Sequence, residues 1–165
     1  DTDRSRGLGD VYKRQIQYPV GKLYEDIATT AKLIDKAGKI AYLNEKDYYY
    51  RIRPNSIQTA SFNPKKLDLL DQLNVVKSIV QTTYPSIINA YYSKEQSALF
   101  NLYMNISPDD TKEMLGIADD LWHGIKKNRI SVLKDREARP DARIASLLSF
   151  LGSIPCRCVY KLVRK

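Results

Sequence analysis

Two adjacent carboxylates, Glu25 and Asp26, sit within the segment Leu23-Tyr24-Glu25-Asp26-Ile27-Ala28-Thr29-Thr30. A carboxylate held beside a substrate hydroxyl can act as a general base and take the proton as the new bond forms. Successive helical residues point about 100° apart, so the two cannot address one atom together. One can act while the other orients or caps. The same pair also suits the positive end of a helix dipole, an effect of about 0.3–1 kcal/mol. Spacing alone leaves both readings open. Downstream, Arg51 and Arg53 fall on one face of a strand by the two-residue period. Guanidinium forks match phosphate oxygens; the plainer alternative is a pair of solvated edge arginines. Ser56 is a further polar candidate. Tyr48, Tyr49 and Tyr50 either pack both faces of that strand or offer a platform to a sugar. His123 has no visible partner in the sequence, and Cys156-x-Cys158 lacks the second ligand pair of a zinc site.

These residues need elements to position them. Glu25 to Ala37 carries Ile27, Ala31 and Ile34 at helical spacing, and Gly38 follows as a helix terminator. Lys39 to Leu43 reads as a strand, Asn44-Glu45-Lys46-Asp47 as a turn, and Tyr48 to Arg53 as a second strand ended by Pro54-Asn55-Ser56. A helix followed by a β-hairpin is the expectation. Beyond Asn63-Pro64 the pattern is helical. Leu69, Leu73, Val76 and Val80 form one stripe, and Leu99, Leu102, Tyr103 and Ile106 the next. Ser107-Pro108-Asp109-Asp110 reads as a helix start before Leu115, Ala118, Trp122 and Ile125. Ile144, Leu147, Leu148 and Leu151 follow as the apolar face of a last helix. Pro85 and Pro140 mark boundaries.

From Tyr18 to about Phe62 the chain resembles the C-terminal part of the catalytic domain of family 2 glycosyltransferases, of GT-A fold. Three ordered segments carry the resemblance: the Glu25-Asp26 segment, Ala37-Gly38-Lys39-Ile40-Ala41-Tyr42-Leu43-Asn44, and Tyr48 through Ile57. A weaker similarity to bacterial surface-polysaccharide enzymes extends through the helical tail. The resemblance implies an inverting transfer from a nucleotide-sugar to a cell-surface polysaccharide or lipid-linked acceptor. Asp26 would be the base and Glu25 its positioning neighbour. Arg51, Arg53, Ser56 and Tyr50 would line the substrate site, the arginines near the donor diphosphate. It also implies a divalent cation, Mg or Mn, in the full-length parent. From Ile16 onward the sequence has no counterpart of the family's nucleotide-binding half or of its Asp-x-Asp metal motif, so the isolated chain is expected to be inactive.

The composition is that of a globular chain: 165 residues, 43% hydrophobic, seven Gly and seven Pro. Two Cys give no disulfide framework and point to a reducing compartment. The location expected is cytoplasmic, peripheral at the inner face of the cell membrane. Residues 126–165 hold eleven Lys/Arg against three Asp/Glu, which accounts for a charge equal to the net +8 of the whole chain. In residues 143–165 an apolar stripe combines with Arg157, Lys161, Arg164 and Lys165. An anionic membrane surface, nucleic acid, or an ordinary bundle face would each suit such a helix. No nucleic-acid module is recognisable, so no such partner is expected. Residues 1–15 show no period, and Ser5 to Gln15 is similar to one reading frame of a transposon-type sequencing adapter. That segment is set aside as non-native, and the native chain is expected to be interrupted at Ile16. The expected organisation is therefore residues 1–15 as this segment, 16–62 as the end of a GT-A domain, and 63–165 as a helical extension. The fold expected is mainly α with one small hairpin. The competing functional reading is a non-enzymatic helical module that binds a membrane or a protein through its basic tail.

Overall fold

The computed structural model describes residues 16–46, 48–49, 51 and 61–163, with backbone only for residues 161–163. The described chain is mainly helical. The helices are α1 (Glu25–Lys36), α2 (Asp68–Thr83), α3 (Ile88–Met104), α4 (Lys112–Lys134), α5 (Pro140–Leu148) and α6 (Ser153–Val163). Single 3-10 turns lead into α2 and α3 at Pro64–Leu67 and Pro85–Ile87, and a third, Ser149–Leu151, continues α5. Pro64, Pro85 and Pro140 each stand at the first position of a helical turn. There the missing N–H costs nothing and the fixed φ favours helix.

The long α3–α4 pair is the centre of the molecule, with α2 against α3, α5 against both, and α1 against α2. The sequence stripes of α2 to α4 face this centre except at Leu115, which is exposed at the start of α4. Leu99, Leu102, Tyr103 and Ile106 from α3 and its end meet Ala118, Leu121 and Ile125 of α4, and Cys156 of α6 joins them. A second cluster joins Leu73 and Val80 of α2 to Tyr91 and Ala98 of α3, with Ile27 of α1 packed on it. The helices α3 and α4 approach closely at Gly124, where an added Cβ would stand 3.0 Å from Leu99 Cδ1. The start of α4 is capped by Thr111, whose Oγ1 accepts from the Met114 N–H at 3.3 Å. The Ser107-Pro108-Asp109-Asp110 segment forms a turn ahead of that cap, so the helix begins later than its sequence signal suggested.

The expected hairpin is not formed among the described residues. Residues 39–46 contain no strand and are exposed throughout, and Tyr48, Tyr49 and Arg51 are likewise exposed and outside any strand. A two-stranded hairpin is marginal in water without a further strand or a packed face. Ile40, Tyr42 and Leu43 find no such face here. The apolar pattern of Lys39 to Leu43 therefore remains, but no sheet organises it among the described residues. Helix α1 also differs in its inner face. Ala28 and Thr29 are its buried residues, whereas Leu33 and Ile34 are exposed.

Candidate functional site

Helix α1 begins at the carboxylate pair, and the chain is bent to bring it there. Tyr24 takes the left-handed conformation, φ 58° and ψ 30°, and is the single non-glycine residue with positive φ among those described. That conformation is costly for a residue with a Cβ and persists only where neighbours impose it. The neighbours are on α2. The Asp68 carboxylate, in the first turn of α2, accepts from Lys22 Nζ at 2.6 Å and from the Leu23 backbone N–H at 3.0 Å. Lys22 Nζ also reaches Asp71 at 3.0 Å. The Lys22 ammonium and the Leu23 N–H hold the Asp68 carboxyl below the usual carboxylate range, and the two carboxylates raise Lys22. Residues 22–23 are thus clamped to α2 just before the chain turns into α1.

Two carboxylates follow the clamp. Glu25 is half-buried and Asp26 exposed, and neither makes a hydrogen bond or ion pair with a described residue. No side chain caps the N-terminus of α1, so the Glu25 and Asp26 carboxylates lie at an open positive helix end. The buried Ala28 and Thr29 fix the rotation of the helix and with it the outward direction of Asp26. Chemically this is an accessible carboxylate in the first turn of a helix, able to accept a proton from a group that approaches from solvent. Arg51 is exposed. Tyr50, Arg53 and Ser56 lie outside the described residues, so the geometry joins none of them to Asp26. No group of three or more His, Cys, Asp or Glu able to hold a metal occurs among the described residues. A divalent cation does not fit what is described of this chain.

Comparison with protein-family models, with curated proteins and with solved structures finds no match to this chain. The other sequence candidates have structural roles. His123 is exposed, with Nδ1 2.8 Å from the Asp119 carbonyl one turn back. Trp122 packs on Tyr103 with ring centroids 5.1 Å apart. Cys156 is buried, which pushes its thiol up, while Cys158 is exposed; the two do not converge. Arg157, read from sequence as part of the basic face, turns inward. Its Nε donates to Tyr103 Oη at 2.9 Å, its Nη1 donates to the Ile106 carbonyl at 2.6 Å, and it ties α6 to α3.

Sequence reasoning missed the Lys22–Asp68 clamp, because its partners are forty-six residues apart. The one local sign was an acid in the first turn of α2. It also missed a polar set around the half-buried Glu95 and the buried Gln96. Tyr91 Oη donates to Glu95 Oε1 at 2.8 Å, and Asn128 Nδ2 donates to Glu95 Oε2. Burial and the Glu95 carboxylate push the Tyr91 phenol well above its ordinary range. The Asn128–Glu95 bond joins α4 to α3, and the Tyr91–Glu95 bond lies within α3.

Proposed function

We propose that this chain contains the base-bearing part of an inverting family 2 glycosyltransferase of GT-A fold. The observation that carries the reading is the accessible, unpaired Asp26 at the start of a helix whose entry is clamped in an unfavourable backbone conformation. Backbone strain imposed beside a free carboxylate is the arrangement of a positioned catalytic group. The order of the three sequence segments supplies the family. The exposed apolar residues Leu33, Ile34, Ile40, Tyr42 and Leu43 suit a surface that packs on the rest of such a domain.

In this reading Asp26 accepts the proton of the acceptor hydroxyl as that oxygen attacks the anomeric carbon. The bond from that carbon to the diphosphate breaks with inversion, and the nucleoside diphosphate leaves with the electron pair. Glu25 positions, while Arg51 and Arg53 offset the charge that grows on the leaving group. Tyr50 and Ser56 contact substrate. The donor half and any cation are held by other residues, and this chain alone is inactive. The acceptor is a surface polysaccharide or a lipid-linked glycan, which places the enzyme at the inner face of the membrane.

The test is Asp26→Asn in the full-length enzyme. A general base contributes about 10²- to 10⁴-fold, so kcat should fall by that order while donor affinity is kept. Glu25→Gln should fall less. Near-normal turnover by Asp26→Asn would remove the assignment. Sequencing the locus upstream of Ile16 is the complementary measurement. An open frame encoding strand–helix alternation and an Asp-x-Asp supports the transferase. A native start that encodes residues 1–15 favours the second reading, a helical binding module, for which the exposed face of α5 speaks.

A further inference from the structure

The exposed face of α5 carries Ile144, Leu147 and Leu151, while the small Ala142 and Ser146 face inward and Arg129 Nη1 donates to the Ser149 carbonyl at 3.3 Å. Asp135, Glu137 and Asp141 interleave with Arg136, Arg139 and Arg143 around it, so its charges cancel and select no partner. The outer face of α4 is different, because its charges are sorted. Asp119 and Asp120 are exposed on one half of the helix and Lys126 and Lys127 on the other, with the exposed His123 midway. Counted from His123, the acids stand three and four residues back and the lysines three and four residues on. All five fall on one face at helical spacing. Gly116 and Ile130 extend this face, seven residues to either side of His123, and both are exposed.

Within α4 nothing accounts for the sorting. The helix dipole favours acids in the first turn and bases in the last, and its effect fades beyond them. Helix α4 runs from Lys112 to Lys134, so the four charges lie well inside both of its end turns. Helical ion pairs form between residues three or four apart, whereas these acids and lysines are six to eight apart. None of the four side chains is in an ion pair or hydrogen bond with a described residue. A reversed second copy matches them. A two-fold axis at His123 brings the two aspartates of each chain level with the two lysines of the other, the self-complementary arrangement of a symmetric dimer. The same axis brings Ile130, which is 52% exposed, level with Gly116 of the second copy. Beside Gly116 an apolar groove of about 500 Å³ opens between α4, α6 and the end of α3, bordered by Leu115, Ala118, Asp119 and the exposed Ile154. An exposed isoleucine and an open apolar groove therefore stand as knob and hole about the axis that pairs the charges. Further out, Lys134 comes level with Lys112 and Glu113 together, one charge of each sign.

We infer that α4 pairs antiparallel with α4 of a second copy of this chain, with His123 at the two-fold axis and Asp119 and Asp120 against Lys126 and Lys127. The inference uses no residue of the Asp26 site and is independent of the transferase reading. The experiment is sedimentation equilibrium of the full chain in low salt. A dimer is expected at chain concentrations on the order of 0.1 mM, with less of it as salt rises. Asp119→Lys with Asp120→Lys makes the face wholly basic, and Lys126→Asp with Lys127→Asp makes it acidic. Each pair of changes sets like charges against each other and should weaken dimerisation by about tenfold or more. An equimolar mixture of the two variants should form a heterodimer, and the fourfold charge swap should restore the homodimer. All four positions are exposed, so the circular dichroism spectrum should not change. A chain that stays monomeric throughout, or a dimer that either double variant leaves intact, would overturn the inference. So would the failure of both the mixture and the charge swap to restore association. A dimer dissociated by Leu147→Glu and not by the charge changes would overturn it too, by placing the contact on α5.

Discussion

Gln96 is wholly buried where three helices meet. From α3 its Nε2 donates to Ser146 Oγ on α5 at 3.0 Å and to the Ile125 carbonyl of α4 at 3.3 Å. Its Oε1 has no partner. The two donated bonds add specificity, but an unpaired buried carbonyl costs about 1–3 kcal/mol. These effects oppose each other, so an apolar side chain of the same length should nearly replace the amide. Gln96→Met is expected to cost about 1 kcal/mol, because it removes the orphan oxygen but leaves the buried Ser146 Oγ without its donor. Gln96→Ala should lose about 2–3 kcal/mol, since it leaves a cavity as well. Urea unfolding midpoints decide this; equal losses for the two would mean that the hydrogen bonds, not the volume, hold the junction. Nothing in the sequence marked Gln96, because both partners are distant in the chain and a Gln among apolar residues reads as a surface position. Asp26 and Glu25 were legible for the contrary reason. Their position at the helix start is a local property, and the structure puts them there.

Helix α4 provides a matched pair of glycines. At Gly116 an added Cβ meets nothing within 4 Å, whereas at Gly124 it stands 3.0 and 3.2 Å from the two Leu99 methyls. Alanine is favoured over glycine in a helix by about 0.8–1 kcal/mol. At Gly116 that preference acts alone, so Gly116→Ala should stabilise by roughly 0.5–1 kcal/mol. At Gly124 it competes with overpacking of about 1–3 kcal/mol. Leu99 lies in the core and cannot retreat, so Gly124→Ala should destabilise. Thermal midpoints that move in opposite directions would establish the close approach of α3 and α4; a rise for both would refute it. The elements themselves were largely legible. Pro64, Pro85 and Pro140 begin helical turns, and the stripes of α2, α3 and α4 face the core, the exposed Leu115 excepted. The face of α5 was not. Periodicity reports that a helix is amphipathic, not which surface meets its apolar side, and Ser146 and Ser149 could be recognised as inner residues only through Gln96 and Arg129. The strand pattern of Lys39 to Leu43 failed similarly: alternation needs a neighbouring strand, and none is described.

Across the whole molecule, packing is uneven. Helices α3 and α4 touch most of the others, while α1 rests chiefly on α2 and is joined to it by the Lys22–Asp68 clamp. Regions with fewer buried contacts open more readily than the global unfolding transition. Backbone amides of α1 should therefore exchange with solvent sooner than those of α3 and α4. The clamp also gives this opening a pH dependence. The folded chain lowers the Asp68 carboxyl below its ordinary value of 3.8, so its contribution is present above that value. It is lost as pH falls through the lower folded value. Lys22, raised above its ordinary 10.5, loses its share only at the alkaline extreme. Protection factors in α1 should thus hold from neutral pH down to about 3.8 and fall as the pH is lowered further, while those of α3 and α4 change less. Asp68→Asn should show the lowered α1 protection already at neutral pH and little further loss on acidification. If α1 exchanged as slowly as α4, or if Asp68→Asn left its protection unchanged, the clamp would not be what holds the Asp26 helix to the bundle. Its loss, by contrast, would free the entry into α1 and let Tyr24 leave the left-handed conformation. The position of Asp26 and the attachment of α1 are therefore one structural property, controlled from α2.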